Sequence, residues 1–237
     1  MAKSQRAAVR HPSQTLDSRS RTAAIFVHII GIVSFSLSYK YLLDFPNMIN
    51  ASYGWHFQYL TIIGLTIASL TFVSGLLADL TLSPTFFKIK NTLSLCSTPL
   101  EVLISVLYWG ISAIDKSLLI PPDMDLSSWA DVGFHAMPSV LLTIDLLFFS
   151  PPWTITAWPA MGLSSTLAVA YWAWVEHCYK HNGFYPYPLF GQLDTTQRTL
   201  LFTVSAMMMT ASTVVLKWFY ERLNGRQSGI SRNIKGA

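Results

Sequence analysis

Thr61 and His135 are the two side chains of this 237-residue sequence whose types suit covalent chemistry, provided the fold brings them together. A threonine hydroxyl is a weak nucleophile at neutral pH and must give its proton to an adjacent base. Histidine supplies that base because its pKa lies near the operating pH. Lys40, Glu176 and His177 end at roughly the same expected height, and each is a candidate to orient the imidazole or stabilise an oxyanion. The same layer has two other readings. His56, His135, His177, His181 and Glu176 are enough ligands for a catalytic zinc, which takes three protein ligands and a water. However, no His-Glu-x-x-His occurs, and His177 and His181 fall where Gly183 and the following prolines end a helix. No metal or cofactor is therefore expected. The plainest reading is structural: threonine in a membrane helix bonds back to its own i−4 carbonyl, and a lone histidine bridges helices.

The elements that must position these residues are long and apolar. Hydrophobic residues make up 51% of the chain and charged ones only 12%, against about 25% in an ordinary soluble domain. Six stretches approach the roughly 20 residues that a bilayer-crossing helix needs: 23–43, 56–81, 98–120, 131–149, 159–180 and 199–220. Proline, glycine or charge separates them, at Asp44-Phe45-Pro46, Pro84, Pro121-Pro122, Pro151-Pro152 and Tyr185 to Pro188. Loops this short predict an all-α, polytopic fold, one bundle of six transmembrane helices in which sequence neighbours pack together. Thr61 then lies about 7 Å below one end of its span and His135 about 6 Å below the same end of another, at about 1.5 Å per residue. Matching depth permits the pair without establishing contact.

Charge sets the orientation. Residues 1–22 carry Lys3, Arg6, Arg10, Arg19 and Arg21 against Asp17, and residues 217–237 carry Lys217, Arg222, Arg226, Arg232 and Lys235 against Glu221. The positive-inside rule places both tails in the cytosol, with the loop bearing Lys88 and Lys90 on that side. The organisation expected is a basic tail (1–22), a transmembrane domain (23–220) and a second basic tail (221–237). The basic charge belongs to tails rather than to a folded surface, so a nucleic-acid partner is not expected; the lipid bilayer is. Arg19-Ser20-Arg21 suits retention in the endoplasmic reticulum or endomembranes, the plasma membrane being the alternative. Asn50-Ala51-Ser52 is a glycosylation sequon on the outer side. Cys96 and Cys178 fall near opposite ends of their spans, too far apart for a disulfide. At the inner ends, Asp79 is expected to meet Lys88 or Lys90, and Asp145 to hydrogen-bond within the bundle or line an inner cavity with His28.

Several short elements recur in an order that is hard to obtain by chance. They are Ser38-Tyr39-Lys40 followed by Pro46, then Tyr53-Gly54-Trp55 with Phe57-Gln58-Tyr59-Leu60-Thr61, and Leu76-Leu77-Ala78-Asp79-Leu80. Next come Trp109 with Asp115-Lys116, Gly133-Phe134-His135 with Asp145, and Trp174-Val175-Glu176-His177 with Tyr185-Pro186. On these the chain resembles the androgen-induced protein family, six-pass membrane hydrolases with a threonine nucleophile and a histidine. Pro138 departs by following the histidine early. The resemblance implies hydrolysis of fatty acid esters of hydroxy fatty acids, with Thr61 as nucleophile and His135 as base. The competing classes are a membrane transporter or channel, motivated by ionisable residues at both depths, and a non-catalytic lipid-binding protein, since fold likeness alone does not carry activity.

Overall fold

The computed structural model describes residues 15–121, 124 and 126–224. The tail charges Lys3, Arg6, Arg10, Arg226, Arg232 and Lys235 and the loop acids Asp123 and Asp125 lie outside the described residues. Eight α-helices and three short 3₁₀ turns, with no strand, form the described residues. They are α1 (Arg21–Asp44), α2 (Leu60–Thr81), α3 (Pro84–Asp115), α4 (Ser128–His135), α5 (Met137–Phe149), α6 (Ala157–Asn182), α7 (Pro188–Gln192) and α8 (Thr195–Asn224). Five helical segments are long and apolar enough to cross a membrane: α1, α2, α3 with its extension to Leu118, α4 with α5, and α8. The expected span 159–180 forms α6, which at 26 residues has the length. Its tryptophans, tyrosines, serines and Glu176 dilute its apolar character, and it is not among the five.

Two boundaries differ from the sequence expectation for stated reasons. The helix expected from residue 98 begins at Pro84, so only Leu82 and Ser83 separate it from α2. Proline suits the first turn of a helix, where its missing N–H is no loss, and Ser83 caps that turn. Lys90 is consequently inside a helix and buried rather than on a cytosolic loop. The fourth stretch breaks at Ala136, because Pro138 cannot continue the ladder of the turn that ends at His135.

The helices arrange as two groups sharing α2 and α3. In the first, α1, α2 and α5 pack around Phe35, Leu65, Phe72 and Leu142, and α3 lies against α2 and α5. In the second, α8 lies against α3 and α6 against α8, while α2 and α6 make little backbone contact. Sequence neighbours do not always pair: the extended Ser150–Thr156 linker with Pro151-Pro152 carries the chain away, and α5 and α6 make no substantial contact.

One end of the first group is tied by four buried charged side chains, one from each helix. His28 of α1 meets Asp79 of α2 through Nδ1 (2.8 Å) and Asp145 of α5 through Nε2 (3.1 Å). Lys90 of α3 meets the other Asp145 oxygen at 2.8 Å and donates to the Ser150 hydroxyl at 2.8 Å. Each His28 nitrogen faces a carboxylate oxygen, so both must donate and the ring is an imidazolium. Two cations then balance two anions. The expected pairing of Asp145 with His28 is present, whereas Asp79 meets His28 rather than Lys88 or Lys90. Close approach of α1 and α2 depends on glycine: a Cβ at Gly31 would overlap the Phe72 ring, and one at Gly75 the His28 ring.

Asp145→Ala leaves His28 and Lys90 buried without their shared carboxylate, a loss of about 3–5 kcal/mol. Thermal unfolding in detergent should shift strongly downward for this variant. Lys40→Ala, which breaks a pair on the exposed face of α1, should change stability by less than about 1 kcal/mol.

Candidate active site

At the opposite end of the first group, Thr61 occupies the first turn of α2, two residues after Tyr59 at its N-cap. Position matters here. Thr66 and Thr71, deeper in the same helix, donate to the Ile62 and Ile67 carbonyls. For Thr61 the i−4 residue precedes the helix, and its hydroxyl instead meets the Tyr187 hydroxyl at 3.4 Å. Its hydroxyl is thus not consumed by its own backbone. The turn leading into α2 is shaped by Gly54 (φ 83) and Trp55 (φ 48), both in the left-handed region. From α6, Trp174 donates to the Phe57 carbonyl at 2.9 Å and Tyr171 to the Gln58 carbonyl at 3.0 Å. Asn182 takes both backbone groups of Tyr53, at 2.8 and 3.0 Å. These bonds fix the 3₁₀ turn that leads into α2 against α6.

His135 ends α4, immediately before the proline-induced break. Its Nδ1 lies 3.0 Å from Asp131 Oδ1 and 3.1 Å from the Asp131 carbonyl. Both partners only accept, so Nδ1 carries the proton and Nε2 keeps its lone pair. Asp131 is itself held by Lys116 at 3.3 Å. The Tyr108 ring of α3 stacks on the imidazole with centroids 3.4 Å apart and planes within 3°. The histidine is thus oriented by a carboxylate on one edge and an aromatic face on the other.

Thr61 and His135 border the same cavity, of about 280 Å³, together with Tyr108, Tyr187, His56 and Asn47. No hydrogen bond joins the two; such contacts commonly tighten only with substrate in place. A second cavity of about 110 Å³ opens on the other side of Thr61, among α2, α3, α6 and α8. Thr61, Tyr108 and Tyr187 border both. His56 is a poor rival base. It is buried, its Nε2 is bonded to Asn50 Oδ1 at 3.2 Å, and burial drives its pKa down to about 4 with no carboxylate to stabilise the charged ring. His135 has that carboxylate.

The other expected residues sit elsewhere. Lys40 pairs with Asp44 on an exposed face of α1. Glu176 accepts from Arg198 at 2.6 Å and from the Tyr185 hydroxyl at 3.0 Å, holding down the segment that presents Tyr187. His177 meets the Tyr53 hydroxyl at 3.1 Å. Neither Glu176 nor His177 borders the cavity shared by Thr61 and His135. Among the described residues no three histidine, cysteine or acidic side chains converge to hold a metal ion. Cys96 and Cys178 are both free thiols. Asn50 of the sequon bonds Asn47 N, His56 and the Leu42 carbonyl, so its amide is engaged within the fold. Asp131, Tyr108 and Tyr187 were missed as site residues. The i, i+4 spacing of Asp131 and His135 on one helix was a legible signal; nothing local marked the two tyrosines.

The chain from 23 to 221 matches the family model of FAR-17a/AIG1-like protein. A UPF0641 membrane protein of Schizosaccharomyces pombe is 38% identical over 203 residues, covering 84% of this chain and 91% of that protein. No solved structure matches. With several apolar helices and a match across nearly the whole helical body, this multi-pass integral membrane protein belongs to the FAR-17a/AIG1-like family.

Proposed function

We propose that this protein is an intramembrane esterase acting on fatty acid esters of hydroxy fatty acids. The observation that carries the reading is the shared cavity: Thr61, with a hydroxyl not bonded to its own helix, borders it with His135, whose tautomer leaves Nε2 as a base. The substrate class comes from the family resemblance, and the two cavities meeting at Thr61 suit an ester with a long chain on each side. In this reading α6 is the sixth span, both termini face the cytosol, and the protein resides in endomembranes.

The mechanism follows from the groups present. Thr61 Oγ1 attacks the ester carbonyl carbon while His135 Nε2 takes its proton, and Asp131 stabilises the resulting imidazolium. The carbonyl oxygen gains negative charge beside the first turn of α2, where the Ile62 and Ile63 amides bond the Tyr59 carbonyl and those of Leu60 and Thr61 face the Tyr187 hydroxyl. Tyr187 stands at the same place. Burial raises its pKa, against the pull of the Thr61 hydroxyl and of the Thr61 and Leu60 amides, so it stays a neutral phenol able to donate. Collapse of the tetrahedral intermediate breaks the bond to the alcohol oxygen, which takes the proton from His135. Water, deprotonated by the same nitrogen, then attacks the acyl-threonine and releases the fatty acid with Thr61 reprotonated.

Transport is less well supported. The four-charge cluster is self-neutralised, and none of its members borders either cavity at the site.

Labelling by a fluorophosphonate and hydrolysis of a hydroxy fatty acid ester should both be lost in Thr61→Ala and in His135→Ala, by about 10³-fold or more. Full activity in both variants would contradict the assignment. Asp131→Asn should lower kcat by about 10²-fold or more with little change in KM, because it disturbs the histidine rather than substrate binding. Tyr187→Phe should lower kcat by about 10²-fold, the size of losing one oxyanion donor. Wild-type kcat in Tyr187→Phe would remove the phenol from the mechanism.

A further inference from the structure

The two cavities that meet at Thr61 differ in a way that assigns each half of the ester. Any alcohol leaving the tetrahedral intermediate must receive its proton from His135, and the water of the second step must lose a proton to the same nitrogen. Both therefore belong on the His135 side, in the larger cavity with Asn47 and His56. The acyl group remains bonded to Thr61 Oγ1 between the two steps, and its chain has to lie where it blocks neither. The other cavity is the space that remains.

Its walls fit a hydrocarbon. Leucine, isoleucine, phenylalanine and methionine side chains form most of the lining. Apart from Thr61, Tyr108 and Tyr187, which also border the His135 cavity, the hydroxyls on it are already used: Ser164 donates to the Ala160 carbonyl at 2.9 Å, Ser205 to the Leu201 carbonyl at 2.8 Å, and Tyr171 to the Gln58 carbonyl at 3.0 Å. An occupant with polar groups beyond that boundary would find no partner for them and would lose their hydration. The cavity, of about 110 Å³, extends beyond Tyr108, which borders both cavities, to the level of Leu100 on α3. Eight helical residues make that about 12 Å of depth, at about 1.5 Å per residue. Leu100, Ser164 and Met209 line this cavity and not the one that holds His135. The space exists because α6 packs on α8 and leaves a gap toward α2.

We infer that the cavity among α2, α3, α6 and α8 is the acyl-chain compartment, taking the hydrocarbon chain of the acyl group transferred to Thr61, while the hydroxy fatty acid half occupies the His135 cavity. This rests on the esterase reading and adds a direction to it: the ester binds with its acyl end between α6 and α3. An apolar compartment favours a hydrocarbon chain and rejects a polar acyl group.

The test uses the full-length protein in lipid nanodiscs with a long-chain alkyl fluorophosphonate carrying a diazirine at the end of its alkyl chain. After labelling and irradiation, peptides are mapped by mass spectrometry. The expected result is phosphonylation of Thr61 together with crosslinks to peptides holding Leu100, Ser164 or Met209. Phosphonylated Thr61 with crosslinks to Asn47 or Leu126 instead would overturn the compartment and leave the nucleophile standing. Absence of label on Thr61 would overturn the esterase reading itself. In a second measurement, Ser164→Leu and Ala206→Phe should lower the ratio of kcat/KM for a palmitate ester over a butyrate ester by about tenfold or more. An unchanged ratio in both variants would place the chain elsewhere.

Discussion

A buried carboxylate shared by two cations holds this fold in register. Asp145 takes His28 on one oxygen and Lys90 on the other, and His28 reaches on to Asp79, so that α1, α2, α3 and α5 meet at one point. Charges in an apolar interior are tolerated only when paired, and removing one exposes the rest to the full desolvation penalty. Such a cluster has few alternative arrangements. It sets the axial positions of four helices at one end of the bundle, while Thr61, Tyr108 and His135 line one cavity at the other.

At that other end the constraints are local and looser. A proline break ends α4 at His135, Asp131 one turn earlier fixes the ring, and Tyr108 covers its face. The 3₁₀ turn that leads into α2 is held by donors from α6, while Glu176 and Arg198 secure the segment that brings Tyr187 to Thr61. A closed ionic end and an open, aromatic-walled end form one design. The ionic end is closed, and the opposite end holds the two cavities that meet at Thr61.

Much of this was legible in sequence, for physical reasons. Apolar runs bounded by proline gave the helices, and depth counted from charged ends brought Thr61 and His135 to one level. The reading failed where tertiary contact, rather than pattern, decides. Lys90 looks like a loop charge until α3 is seen to begin at Pro84 and bury it. Lys40, Glu176 and His177 have suitable chemistry and height, but height says nothing of which way around a helix a side chain points. Tyr187 lies in a loop, distant from Thr61 in sequence, so no periodicity marks it. Asp131 is legible, because its spacing from His135 puts both on one helical face.

The central claim is a covalent one: the ester's acyl group passes through Thr61. It is tested most directly by acid-quenching the protein within a turnover of an isotopically labelled fatty acid ester and sequencing its peptides by mass spectrometry. The account predicts an acyl mass on Thr61 that accumulates during turnover and is missing in His135→Ala. Hydrolysis at the normal rate with no acyl group on Thr61 would contradict it.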